Sequence, residues 1–261
     1  SRIAQLMFTN EERRNPNITY NPLSLQELST LVKNLNLPLY LRNVGVSTDR
    51  VIVGDIRLYK EYDNFVNMAH LPLLKDYLKI QLIASNTHTL NEELDNLSFR
   101  FYSTTLKGIK EQRPMNKRAL GVINGLLGEA FGKLYVEKYF PPKAKEEMVL
   151  LIGYLKKSFA THIKQTSWMS QQTKDKALVK LEKMGVKVGY PDTWTDYSKL
   201  VIEPASRASY FENIAHMRSW KYQKSLADVG KPVDKSRWRM NPQNVNAYYN
   251  PQGNEIVFPA A

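Results

Sequence analysis

Side-chain catalysis in this chain would have to come from very few reactive groups. His70, His88, His162 and His216 are the only histidines. None belongs to an H-x-x-x-H pair, the one-turn spacing that aims two imidazoles at one zinc ion. His88 has Glu92 one helical turn on, but no second histidine joins it, so each reads as a surface or internally satisfied residue. There is no cysteine, which excludes disulfides, thiolate zinc sites, iron–sulfur clusters and a cysteine nucleophile. No G-x-S-x-G elbow and no G-x-x-x-x-G-K-[ST] phosphate loop is present. Gly121, Gly125, Gly128 and Gly132 suggest a phosphate-binding loop. However, they alternate with Val122, Leu126, Leu127, Phe131 and Leu134 at helical spacing, so close packing of another helix is expected there instead. Carboxylates are numerous, yet no spacing pairs two of them as acid and base. Residue types alone supply no catalytic machinery.

One binding candidate remains. Val245-Asn246-Ala247-Tyr248-Tyr249 and Glu255-Ile256-Val257-Phe258 flank Asn250-Pro251-Gln252-Gly253-Asn254. Pro at the second position and Gly at the fourth suit a type I turn, so a β-hairpin is expected. A free strand edge can accept an extended peptide through main-chain hydrogen bonds, and an Asn side chain both donates to and accepts from peptide groups.

Most of what must position that hairpin reads as helix. Ser24-Leu25-Gln26-Glu27 is a capping-box pattern, followed by Leu25, Leu28, Leu31, Val32 and Leu35 at helical spacing. Pro72 suits the first turn of a helix carrying Leu73, Leu74, Tyr77, Leu78 and Leu82. Further helices are expected over 91–106, 116–139, 144–165, 170–184 and 207–226. Val51-Ile52-Val53 has the composition of a strand but is too short for periodicity to decide. Pro141-Pro142, Gly185, Gly189 to Asp192 and Gly230 to Pro232 read as connections. Beyond Asp234 the chain turns rich in Asn, Pro and Tyr and loses helical period, so a second structural unit is expected to begin near residue 231.

The chain has 261 residues, 43% of them hydrophobic and 24% charged, the profile of a globular protein with enough chain for a sizeable core. No apolar run reaches the ~18 residues of a membrane span. Ser1 to Gln5 lacks an initiator Met and a signal-peptide core, and Val257 to Ala261 stops in apolar sequence, so both ends read as cut from a longer chain. Net charge is +12. The segment from Pro141 to Tyr190 holds ten Lys, no Arg and four acidic residues. Groove and phosphate readers favour the planar Arg fork, and no nucleic-acid motif accompanies the charge. Solvated helix faces are the plain reading. A helical scaffold that uses its basic surface for anionic partners is the alternative.

The hairpin sequence, Val245 to Pro251 followed by Asn254-Glu255-Ile256-Val257-Phe258-Pro259-Ala260, resembles the neprilysin family of zinc metallopeptidases, including its bacterial endopeptidase O members. Other blocks match in order: Glu12 to Pro16 with Tyr20-Asn21; Asn124-Gly125 through Gly132 to Val136; Trp168-Met169 with Thr173-Lys174 and Ala177-Leu178; Gly189 to Trp194; and Pro232 to Asp234 with Trp238. The similarity spans essentially the whole chain, and the absence of Cys is like bacterial members.

The resemblance implies a mainly α fold. Residues 1–230 would form a helical lid around a cavity for short peptides, and 231–261 would be a linker and hairpin leading into a thermolysin-like catalytic domain. It implies a Zn2+ cofactor in the full-length enzyme and none in this segment, because the H-E-x-x-H ligands and base would lie beyond Ala261. Arginines that grip a substrate carboxylate would lie before Ser1. What carries over is substrate binding by Asn246 and Ala247, with Tyr248 lining the same cleft. The implied partners are an oligopeptide and the catalytic domain of the same chain, with no nucleic acid expected. This segment alone is expected to be inactive, and a bacterial envelope or secreted location is expected for the parent.

Overall fold

The computed structural model describes residues 6–261. The reading of Ser1 to Gln5 therefore lies outside the described residues. In chain order the elements begin with α1 (Pro16–Thr19), β1 (Asn21–Ser24), α2 (Leu25–Leu31), α3 (Leu37–Asn43), β2 (Arg50–Val53) and α4 (Ile56–Phe65). Then come α5 (Leu71–Ala84), α6 (Thr87–Leu90), α7 (Glu92–Ser98), a π-helical stretch (Phe99–Thr105), α8 (Met115–Leu126) and α9 (Gly128–Tyr139). The remainder is α10 (Pro142–Gln165), α11 (Gln171–Glu182), β3 (Gly185–Gly189), α12 (Tyr210–Leu226), β4 (Tyr248–Asn250) and β5 (Glu255–Pro259). The fold is mainly α, with a small sheet at its C-terminal end.

The contacts divide the chain differently from a single break near residue 231. One compact unit joins residues through Glu111 to Ile202–Lys231, and the other joins Gln112–Val201 to Pro232–Ala261. The C-terminal hairpin thus packs in the same unit as α8 to α11.

In the first unit β1 and β2 pair antiparallel, Asn21 opposite Val53 and Ser24 opposite Arg50. The capping box forms as expected: the Ser24 N–H donates to Glu27 Oε2 (2.7 Å) and the Glu27 N–H to Ser24 Oγ (3.1 Å). The helical stripe buries Leu28 and Val32 with Val53, and Leu25, Leu31 and Leu35 pack around them. The turn after α2 is held by a buried carboxylate. Asp63 accepts from the backbone N–H groups of Lys33 (2.9 Å), Asn34 (2.6 Å) and Leu35 (2.7 Å). Burial pushes its carboxyl upward, but these three donors and the Lys33 charge outweigh it and hold it below the usual range. On α12 Arg218 donates to Asn86 Oδ1 (2.6 Å).

In the second unit the expected helix over 116–139 is broken at Leu127, whose φ and ψ of −118° and 28° leave the helical region. The glycine series explains the break only in part. Gly121 and Gly125 face open space. A methyl at Gly128 would collide with the Asn241 side-chain amide, and one at Gly132 would lie 2.6 Å from Pro242 Cδ and 2.7 Å from Gln243 Oε1. Close approach occurs, but what approaches is the side chains of the turn at 241–243 and not another helix. Gly185 to Gly189, read from sequence as connections, form β3.

Two glycines of one series should therefore respond oppositely to the same change. Gly121→Ala removes a flexible residue from an open helix face and should raise unfolding free energy by about 0.5–1 kcal/mol. Gly132→Ala forces a methyl against a proline ring and should lower it by about 1–3 kcal/mol. Urea melts of the two variants and the parent chain measure both.

Candidate functional site

Three strands from distant parts of the sequence build the site. β5 is central: β3 runs parallel to it, with Gly185 opposite Glu255 and Gly189 opposite Pro259, and β4 runs antiparallel, with Tyr248 opposite Val257 and Asn250 opposite Glu255. Period-two alternation puts Lys187, Glu255, Val257, Tyr248 and Asn250 on one face, and Val186, Val188, Ile256, Phe258 and Tyr249 on the other.

The first face carries a charge clamp that sequence reasoning missed. Lys187 Nζ lies 2.7 Å from Glu255 Oε2, and the two side chains keep only 15% and 11% exposure. Glu255 Oε1 also accepts from Asn250 Nδ2 (2.9 Å), and Lys187 donates to the Arg237 carbonyl (2.9 Å). Every strand of the sheet supplies one side chain. Burial pushes the Glu255 carboxyl up, but the Asn250 amide, the Lys187 hydrogen bond and the lysine charge together hold it below the usual range. The opposite face meets α10 and α11 across an apolar cleft of about 450 Å³ lined by Phe159, Ile163, Leu181, Tyr249 and Ile256. Its lining is almost wholly apolar, with Lys180 the one charged residue on it.

The candidate binding residues sit where the ladder stops. The expected strand Val245–Tyr249 is shorter and displaced: β4 spans Tyr248–Asn250, and Asn246 and Ala247 lie just before it, exposed. Continuing the register would set Ala247 against Phe258 and Asn246 against Pro259, which has no N–H to donate. Asn246 Oδ1 accepts the Ala247 N–H (2.8 Å). Tyr248 is half-buried, and its hydroxyl accepts the Arg239 N–H (3.0 Å), which fixes the ring. Since β4 is an outer strand of the sheet, its second edge carries no partner strand among the described residues.

Among the described residues no cluster of three or more His, Cys, Asp or Glu could hold an ion. His70 stacks on Phe65 at 4.5 Å and shares hydrogen bonds with the Phe65 carbonyl (3.0 Å) and Asn67 (3.1 Å), as a structural histidine does.

Four of the ten lysines in the lysine-rich segment make internal contacts. Lys156 donates to the Met184 carbonyl just past the end of α11 (3.0 Å), and Lys174 to the Lys164 carbonyl in the last turn of α10 (2.8 Å). Lys145 pairs with Asp192 (3.2 Å) and lies 4.2 Å from the Tyr190 ring centroid. With Lys187, these cations cap carbonyl ends and tie loops.

Comparison with known sequences places this geometry. Residues 1–191 match the profile of Peptidase family M13. The chain belongs to that family. It is 30% identical over 261 residues to the neutral endopeptidase of Lactobacillus helveticus, covering 99% of this chain and 40% of the relative. The zinc metalloprotease Zmp1 of Mycobacterium tuberculosis, solved in complex with an inhibitor, superposes with a TM-score of 0.91 at 32% identity, over 99% of this chain and 39% of that one. PepO from Lactobacillus rhamnosis shares the fold with a TM-score of 0.88 at 23% identity, over 99% and 41% of the two chains. The chain thus spans about two-fifths of the length of these M13 relatives. Among its described residues no helix is long and apolar enough to cross a membrane.

The clamp makes a pH prediction with a definite sign. The folded Glu255 carboxyl lies below its unfolded value, so its contribution is complete above the ordinary glutamate range and disappears as pH falls through the lower folded value. Asp63 acts in the same direction. Glu255→Gln should cost on the order of 3 kcal/mol at neutral pH, because Lys187 is left buried without its counter-charge. The gap between parent and variant in urea midpoint should narrow as pH drops through that window, while the Asp63 contribution cancels in the comparison.

Proposed function

We propose that this chain is the non-catalytic part of a zinc-dependent endopeptidase that cleaves short peptides. Its helical residues up to 230 enclose the substrate cavity. Residues 231–261 carry the chain toward the catalytic part and present the Asn246–Ala247 segment to the peptide backbone. The observation that supports this most is the exposed Asn246-Ala247 pair, off the ladder beside an outer strand, in an M13 chain whose relatives are named neutral endopeptidase and zinc metalloprotease.

The chemistry this chain performs in that reading is alignment. An extended peptide lying along the segment receives main-chain hydrogen bonds, with the Asn246 amide exchanging its local bond to the Ala247 N–H for bonds to the peptide. Holding the peptide in one register converts part of the orientational barrier into binding energy. Tyr248, locked through its hydroxyl, forms a wall of the same cleft. Zinc and the groups that use it belong to the rest of the protein, and no step is assigned to them here. A parent exported to the bacterial envelope or beyond suits a cysteine-free peptidase of this family.

In the full-length protein, Asn246→Ala should lower kcat/KM for a short peptide on the order of tenfold, about 1.4 kcal/mol, with zinc content unchanged. Unchanged kinetics, measured with zinc analysis of the same sample, would remove the assigned role. The 261-residue chain alone should retain no stoichiometric zinc after dialysis and cleave no peptide. Zinc-dependent turnover by it would overturn the division of labour.

A further inference from the structure

Asn246 and Ala247 have no ladder bonds of their own, so something else must fix where they lie. On the C-terminal side that is β4, starting at Tyr248. On the N-terminal side it is a polar anchor on the helix break. Gln243 Nε2 donates to two acceptors at once, Asn124 Oδ1 (2.8 Å) and the Gly128 carbonyl (3.0 Å). Asn241 Nδ2 donates to the Asn124 carbonyl (2.9 Å). That carbonyl lies in the last turn of α8, where carbonyls lack intrahelical partners, so the break at Leu127 creates the acceptor that Asn241 fills. The turn itself is closed by Asn241 and Asn244, through the Asn244 N–H to the Asn241 carbonyl (3.0 Å) and the Asn241 N–H to Asn244 Oδ1 (3.0 Å). The Ala261 N–H donates to the Pro242 carbonyl (3.1 Å) and ties the turn to the chain beyond β5. Gly128 and Gly132 leave the room in which Asn241, Pro242 and Gln243 sit.

We propose that Gln243 and Asn124, with Asn241, are positioning residues for peptide binding: the anchor they form at the α8–α9 break holds Asn246 and Ala247 in the orientation that receives a peptide backbone. This rests on the reading of Asn246 and Ala247 as the peptide-binding pair. Gln243 is three residues before Asn246, and an extended chain advances at most about 3.6 Å per residue, so a fixed Gln243 confines Asn246 to a short arc. With Gln243 released, the N-terminal side of the pair is held only through Asn241 and the Ala261–Pro242 bond, both further from it along the chain. The peptide must then order it on binding, which costs affinity and leaves the chemistry alone.

Two measurements test this separately. In the 261-residue chain, 15N relaxation should give Asn246 and Ala247 order parameters near the rigid value of about 0.85, falling below about 0.6 in Gln243→Met, with Val257 unchanged in both. In the full-length peptidase, Gln243→Met should raise KM for a short peptide about tenfold with kcat and zinc content within twofold. Asn124→Ala should do the same to a smaller degree, and Asn124→Asp, which keeps the acceptor for the Gln243 amide, should restore KM to within about threefold of the parent. If Gln243→Met does not fold, the Asn124 pair carries the test. Order parameters that do not change, or a wild-type KM in a folded anchor variant while Asn246→Ala raises KM, would overturn the positioning role. A wild-type KM for Asn246→Ala would instead overturn the peptide-binding reading on which it rests.

Discussion

The C-terminal sheet depends on one buried carboxylate. Glu255 sits on the central strand, receives the Asn250 amide from one neighbour and pairs with Lys187 on the other. Without those partners an ionised glutamate with 11% exposure would be costly to bury. With them, the acid links β3, β4 and β5 on the one face where no large apolar cluster does so. An ion pair of this kind is weak evidence for net stability, since apolar residues of similar volume could serve as well. What it supplies is register. A slip of β5 by one residue would turn Glu255 to the apolar face, bring Ile256 and Phe258 round to the face of Lys187, and leave that lysine unpaired.

That register decides what remains exposed. With β5 fixed in the centre, β4 becomes an outer strand. Pairing stops at Tyr248, and Pro259, which would face Asn246 if the ladder ran on, has no N–H to donate. An unpaired edge is an aggregation hazard in most sheets. Here the neighbouring backbone is occupied by a turn sunk into a glycine notch, so only a short stretch is open. A short opening suits an extended peptide better than a second sheet.

How much of this could be read from the sequence divides by range of interaction. The helix at Leu25 was legible because its cap, Ser24 with Glu27, and its apolar stripe lie within one short segment. The same signal, Ser209 with Glu212, was present two residues past the expected start of the last long helix, and α12 begins there. By contrast, Gly185-Val186-Lys187-Val188-Gly189 is too short, and too interrupted by glycine and lysine, to announce a strand. It becomes one because β5 arrives beside it. The break at Leu127 was invisible for the same reason: Leu126, Leu127 and Phe131 continue the apolar period, and only the arrival of the 241–243 turn shows why two of the four glycines are needed. Asn246 and Ala247 were reached through family resemblance. Their residue types alone do not separate them from any other turn-flanking pair.

The charge illustrates the difference between composition and structure. A net charge of +12 invites thoughts of an anionic partner. Yet Lys156 and Lys174 serve carbonyls at helix ends, Lys145 ties a loop to α10, and Lys187 balances Glu255. A flexible lysine stem suits such single-point contacts. Four of the ten lysine charges between Pro141 and Tyr190 are thus spent on internal geometry, and what they hold in place (the end of α10, the end of α11, the loop after β3 and the central strand) is the frame around the outer edge of the sheet.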